Sequence, residues 1–143
     1  MNTEVRPAGP ADDSAVADLD REARADVAGK RGGQVWLREH PPVDALSPAT
    51  LVVGTIDGVV VGFLRLEVSP QAAVVERVYV TPEARGLGLG DDLLAFAVEA
   101  GRRAGSEAIE GQALPGDRET KNLYERAGIT ARLITLYKRL DAK

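Results

Sequence analysis

The chain has 143 residues, 44% of them apolar and 28% charged, with 18 Lys and Arg against 22 Asp and Glu, a net charge of −4 and no cysteine. At roughly 150 residues per domain, this length predicts one domain over residues 1–143, and the composition excludes disordered, collagen-like and low-complexity chains. The acidic balance speaks against a nucleic-acid backbone as partner. Without cysteine there is no disulfide framework or thiol nucleophile, and a single histidine, His40, does not make a metal centre, so no metal is expected.

The first residues, Met1 to Arg6, carry neither a basic stretch nor an apolar core of the signal-peptide kind. No apolar run approaches the roughly 20 residues that cross a bilayer. The expectation is a cytoplasmic protein with no membrane partner. Residues 4–7 read as a short first strand. Pro10 suits a first helical position, with Asp12 and Asp13 in the positive first turn, and Val16, Leu19, Ala23 and Val27 then recur at spacings of three and four. The acidic residues of this third, Asp18, Asp20 and Asp26 among them, read as a solvated face. Residues 30–48 are the most irregular, broken by Gly32-Gly33, Pro41-Pro42 and Pro48, with a short second helix over 34–40.

From Thr50 the period becomes two. Residues 51–56 and 59–68 are β-branched runs joined by Asp57-Gly58, a strong hairpin signal, and 73–80 is a third run closed by Thr81-Pro82. A helix carrying Leu93, Leu94, Ala97 and Val98 ends at Arg102, Arg103 and Gly105. A strand over 108–114, a helix over 118–127 and a long final strand over 129–140 complete the order β-α-(α)-β-β-β-α-β-α-β. This is an α+β, or mixed α/β, arrangement around one sheet.

The segment 85–90, Arg-Gly-Leu-Gly-Leu-Gly, lies between a strand and a helix. Alternating Gly86, Gly88 and Gly90 let a ligand approach the backbone without meeting a Cβ. The amides of this loop, with Leu87 and Leu89 between the glycines, join the unpaired amides of the helix start in a site for negative oxygens. Arg85 adds a planar cationic fork. Physically this is a diphosphate cradle. It lacks the Lys-Ser/Thr of a Walker A loop and the spacing and position of a Rossmann loop.

Arg85, Gly88 and Gly90 match the fixed positions of Gln/Arg-x-x-Gly-x-Gly/Ala, the acetyl-CoA-binding motif of the GNAT family of N-acetyltransferases, which the chain therefore resembles. Tyr79-Val80-Thr81-Pro82-Glu83 is similar to the end of that family's fourth strand, and Leu123-Tyr124-Glu125-Arg126-Ala127-Gly128-Ile129 to its late helix motif. The likeness covers residues 50–140 well and the first 49 only in plan. Ile129 stands where Phe is common. Asp117 stands where many members have Asn; it is an equally good N-cap, but any contact that Asn makes to the cofactor is put in doubt. The resemblance implies a mostly antiparallel central sheet flanked by helices. It implies acetyl-CoA as cosubstrate, held by the main chain of Val78 and Val80 and by residues 85–90, and transfer of its acetyl group directly to a primary amine.

Such transfer needs a proton acceptor, because a lysine-like amine with a pKa of about 10.4 is charged near pH 7. Strict alternation puts Val74, Glu76, Val78 and Val80 on one face of the third run. A carboxylate among valines is either a strand-end residue paired with Arg77 or one held there for use, and in the family a carboxylate on this strand serves as base. Glu76 is the candidate. Tyr124 matches the helix tyrosine assigned as acid to the departing thiolate; the alternative is aromatic packing. Trp36 and His40 fall in the stretch that borders the family's acceptor site, where core packing and a surface position are the alternatives. The acceptor itself, a small-molecule or peptide amine, is not legible, since one scaffold serves many substrates. A CoA-binding module without turnover is the second reading. The final run also allows a homodimer.

Overall fold

A computed structural model describes residues 1–46 and 49–140; Pro48, read above as a breaker, lies outside the described residues. Five strands, β1 (Thr3–Pro7), β2 (Thr50–Ile56), β3 (Val59–Val68), β4 (Ala73–Val80) and β5 (Ile109–Gly111), form one sheet in the order β1-β2-β3-β4-β5. The first four pair antiparallel, and β5 pairs parallel with β4. The β2–β3 hairpin turns on Asp57 (φ 48°) and Gly58 (φ 82°), the two left-handed positions that a tight two-residue turn demands.

Helix α1 (Asp13–Val27) covers one face of the sheet. Its Val16 and Leu19 pack with Val53 and Phe63. Helix α3 (Leu89–Arg103) covers the other face, where Leu89, Leu93, Leu94 and Ala97 lie with Val52, Leu64, Leu66, Val75 and Val80. Each of the buried Val, Leu and Phe side chains stabilises the fold by roughly 1.5–3 kcal/mol. A Cβ on Gly101 would sit 3.0 Å from that of Ala73, so glycine there lets α3 lie close on the sheet. Helices α2 (Gly33–Glu39) and α4 (Arg118–Arg126) are shorter. Asp117 caps α4 as expected, its side chain accepting from the amide of Thr120 at 3.1 Å.

Three expectations are corrected. The strand expected over 108–114 pairs only at Ile109–Gly111. Residues 129–140 are not a strand: they lie outside the sheet, with Leu133, Ile134, Leu136, Tyr137 and Leu140 exposed by 61–90%. Strand propensity forms no ladder without a partner, and β5, followed within four residues by Pro115-Gly116, is too short to offer one.

The third correction concerns β4. Arg65 pairs with Arg77 and Leu66 with Val75, so Glu76 is an extra, bulged residue. Alternation slips there. Val75 joins Val78 and Val80 on the α3 face, whereas the Glu76 side chain reaches Arg65, two residues beyond Phe63 on β3.

Candidate active site

Pairing between β4 and β5 stops at Val75 opposite Gly111. Beyond it, residues 76–80 have no strand beside them on that side among the described residues. Thr81 donates its amide to the carbonyl of Val61 at 2.9 Å, and Tyr79 stands opposite Phe63. Bonded and non-bonded pairs alternate in an antiparallel ladder, so Val78 and Val80 turn their main-chain groups away from β3, toward the gap. The carbonyl of Val80 accepts from Arg85 Nε at 2.9 Å.

The loop from β4 to α3 lines the far end of this gap. Gly86 (φ 85°) and Gly88 (φ 83°) adopt left-handed backbone, and a Cβ on either would meet nothing within 4 Å. Gly88 is the N-cap of α3, which leaves the first-turn amides without intrahelical partners. Open space in front of glycine amides at a positive helix end fits an anionic diphosphate. Gly90 is glycine for another reason: its Cβ would stand 3.2 Å from Leu123 of α4. Leu89 is buried in the core, so only its main chain is available to a ligand, and Leu87 projects outward.

At the near end of the gap, Tyr124 is buried (6% exposed), its ring and hydroxyl against Gly111, where an added Cβ would lie 2.4 Å from the hydroxyl oxygen. Burial, with a smaller contribution from the Asp117 charge, pushes this hydroxyl well above the usual tyrosine range. Gly111 is level with Val75, so Tyr124 stands where the two strands part, on the α3 face, while the bulged Glu76 turns to Arg65 on the α1 face. Glu76 is half-buried and ion-paired with Arg65 NH1, not with Arg77 as its surface reading had it.

Two buried guanidiniums therefore face each other across β3 and β4. Arg65, 3% exposed, is held by Glu76 and by Glu67 at 3.2 Å. Arg77 donates to Asp20 Oδ1 at 2.8 Å and to the carbonyl of Pro41, and lies 5.4 Å from the Trp36 ring centroid. Asp20, read from the sequence as solvated, is 2% exposed, and its other oxygen accepts from the Val43 amide at 2.8 Å. His40 stacks on Trp36 at 4.2 Å, and its Nδ1 lies 2.8 Å from the Trp36 carbonyl. This network fastens α1, α2 and the segment after it to the sheet beside Glu76. Spacing held the signal for Asp20, which falls on the stripe of Val16, Leu19 and Ala23. Arg65 similarly interrupts the apolar run of β3.

Among the described residues no group of His, Cys, Asp and Glu is placed to hold a metal, and no helix is long and apolar enough to cross a membrane. A mixed sheet left open along β4 beyond Val75, with a glycine-rich turn leading into α3 beside the opening, is the arrangement this chain shares with known proteins. The chain belongs to the acetyltransferase (GNAT) family, which it matches over residues 16–129. An uncharacterized N-acetyltransferase in the pepI 3' region of Lactobacillus delbrueckii subsp. lactis is 31% identical over 83 residues, 52% of this chain and 48% of the relative. The match thus spans about half the length of that relative. Among solved structures, a ribosomal-protein-alanine N-acetyltransferase from Brucella melitensis biovar Abortus 2308 has a TM-score of 0.71 at 20% identity, over 97% of this chain and 100% of that one. An aminoglycoside N-acetyltransferase in complex with CoA has a TM-score of 0.68 at 20% identity, over 96% and 100%. At that identity the likeness is one of fold.

Proposed function

We propose that this chain is a single-domain, cytoplasmic enzyme that transfers an acetyl group from acetyl-CoA directly to a primary amine of a small molecule or peptide. The observation that carries this reading is the open edge of β4. There Val78 and Val80 present main-chain groups to a gap bounded by the glycine loop at one end and by Glu76 and Tyr124 at the other. Acetyl-CoA supplies an activated thioester. Arg85 and the amides of residues 86–90 hold its diphosphate, and the Val78 and Val80 main chain aligns the arm that follows. Glu76, anionic beside Arg65, attracts an ammonium acceptor and takes its proton. Tyr124 keeps its own proton through the working pH range, because its hydroxyl is held above the ordinary value. A thiol of pKa about 8.5 is the stronger acid of the two, so Tyr124 stabilises the departing sulfur by donating a hydrogen bond without losing the proton.

Thermal unfolding with acetyl-CoA, ATP and NAD at matched excess tests the donor. A ligand at about 100 times its Kd stabilises by roughly 2.7 kcal/mol, a rise of roughly 5–10 °C for a domain of this size. That rise is expected with acetyl-CoA alone, and its absence removes the reading. With an amine panel, Glu76→Gln and Tyr124→Phe are expected to keep CoA binding and to lower turnover by roughly 10²-fold or more for the base. Full activity in both would refute the assigned roles. The engagement of Glu76 by Arg65 favours a second reading, a CoA-binding module without turnover. Binding of CoA with no thiol release across the panel would select it. The exposed run 133–140 is where two copies would pair as a homodimer, and sedimentation equilibrium reads that directly.

A further inference from the structure

Arg85, the cation of the loop, already has an anion. Its NH1 donates to Glu119 Oε2 at 2.6 Å while its Nε is held by the Val80 carbonyl. The pair is solvent-accessible, with side chains 36% and 72% exposed. Glu119 sits in the first turn of α4, which lies across the start of α3 and makes two further contacts there. Leu123 packs on Gly90, and Arg126 donates to Asp91 at 3.0 Å. We propose that Glu119 is an internal competitor for the diphosphate site, a residue that sets cofactor affinity by occupying the Arg85 fork until an incoming phosphate displaces it.

The inference rests on the acetyl-CoA reading and deepens it. A guanidinium presents its donors in one plane to an anion, and a carboxylate and a phosphate make the same demand on them. With Nε tied to Val80 and NH1 given to Glu119, a phosphate can take the paired NH1/NH2 end of the fork only by displacing the carboxylate from NH1. Glu119 opposes it in two ways, by holding NH1 and by placing a like charge beside the phosphates. Exchange leaves α4 attached through Leu123 and Arg126, so it requires no rearrangement of the helix that carries Tyr124. An exposed ion pair is weak, which makes the competition readily reversible.

The test is isothermal titration of CoA into wild type and Glu119→Gln, with pantetheine, which lacks the diphosphate, compared by thermal shift at millimolar concentration. Glu119→Gln is expected to bind CoA about five-fold tighter at low salt, an advantage that shrinks below about two-fold near 0.5 M NaCl as the charges are screened. Pantetheine is expected to bind both proteins alike. Equal or weaker CoA binding by the variant overturns the proposal, as does the same gain with pantetheine. Glu119→Ala, checked for its fold by circular dichroism, carries the same test without the amide. If wild type does not bind CoA at all, the acetyl-CoA reading fails, an outcome distinct from equal binding by both proteins.

Discussion

Replacing Gly88 by alanine separates what the glycine loop does for the fold from what it does for a ligand. Gly88 has φ 83°, and its Cβ would meet no atom within 4 Å, so the substitution brings no clash and costs only left-handed backbone strain. That strain is roughly 1–2 kcal/mol for a residue with a Cβ, a fall in Tm of about 3–6 °C. Gly58 provides an internal control. Its φ is 82°, its Cβ position is equally open, and it lies in the β2–β3 turn and not in the loop between β4 and α3. Gly58→Ala and Gly88→Ala are therefore expected to lose similar stability by thermal unfolding. Calorimetric titration with CoA should distinguish them: Gly58→Ala binds as wild type, whereas Gly88→Ala loses at least ten-fold, its methyl standing where the diphosphate approaches the amides. A folded Gly88→Ala protein with wild-type affinity would refute the cradle.

Two further predictions concern stability. Asp20→Ala leaves Arg77 buried beside an empty position and the Val43 amide unpaired, and breaking a buried pair from one side costs about 3–5 kcal/mol. Urea unfolding should show that loss, with little dependence on salt; a loss below about 1 kcal/mol would contradict a buried network. Asp12 accepts hydrogen bonds from Arg6 and, to a smaller extent, from the Gly9 amide, which hold its carboxyl at about 2, down from 3.8. Because the folded value lies below the unfolded one, this contribution is full above about pH 4 and fades as pH falls toward 2. The stability difference between wild type and Asp12→Asn should shrink through that window, and a constant difference would exclude the linkage.

The β2–β3 hairpin, α1, α3 and the Asp117 cap were legible because each is specified locally, by Asp57-Gly58, by a three-four spacing, or by a capping side chain. The glycine-rich turn into α3 was legible for the same reason, although sequence could not tell Gly86 and Gly88, left-handed before open space, from Gly90, which makes room for Leu123. Strict alternation failed at Glu76 because a bulge is a property of two strands in register, and one strand read alone has none. Residues 129–140 failed because a strand needs an edge to join. Asp20 was misread because its partner lies 57 residues away on β4. A charged residue on a buried stripe predicts that some partner exists, without naming it.

The bulge at Glu76 is a dislocation in the sheet, and its effect is felt downstream. One extra residue sets the phase of everything from Arg77 to Val80. It is this phase that turns the peptide groups of Val78 and Val80 outward and commits those of Tyr79 to β3. Were the pairing regular from Val75 onward, with Glu76 opposite Arg65 and Val78 opposite Phe63, outward and inward groups would trade places along the remainder of the strand. A valine edge would become a tyrosine edge, and apolar side chains would turn toward α1. The carboxylate is thus the side chain of the very residue whose bulge turns those peptide groups to the open edge.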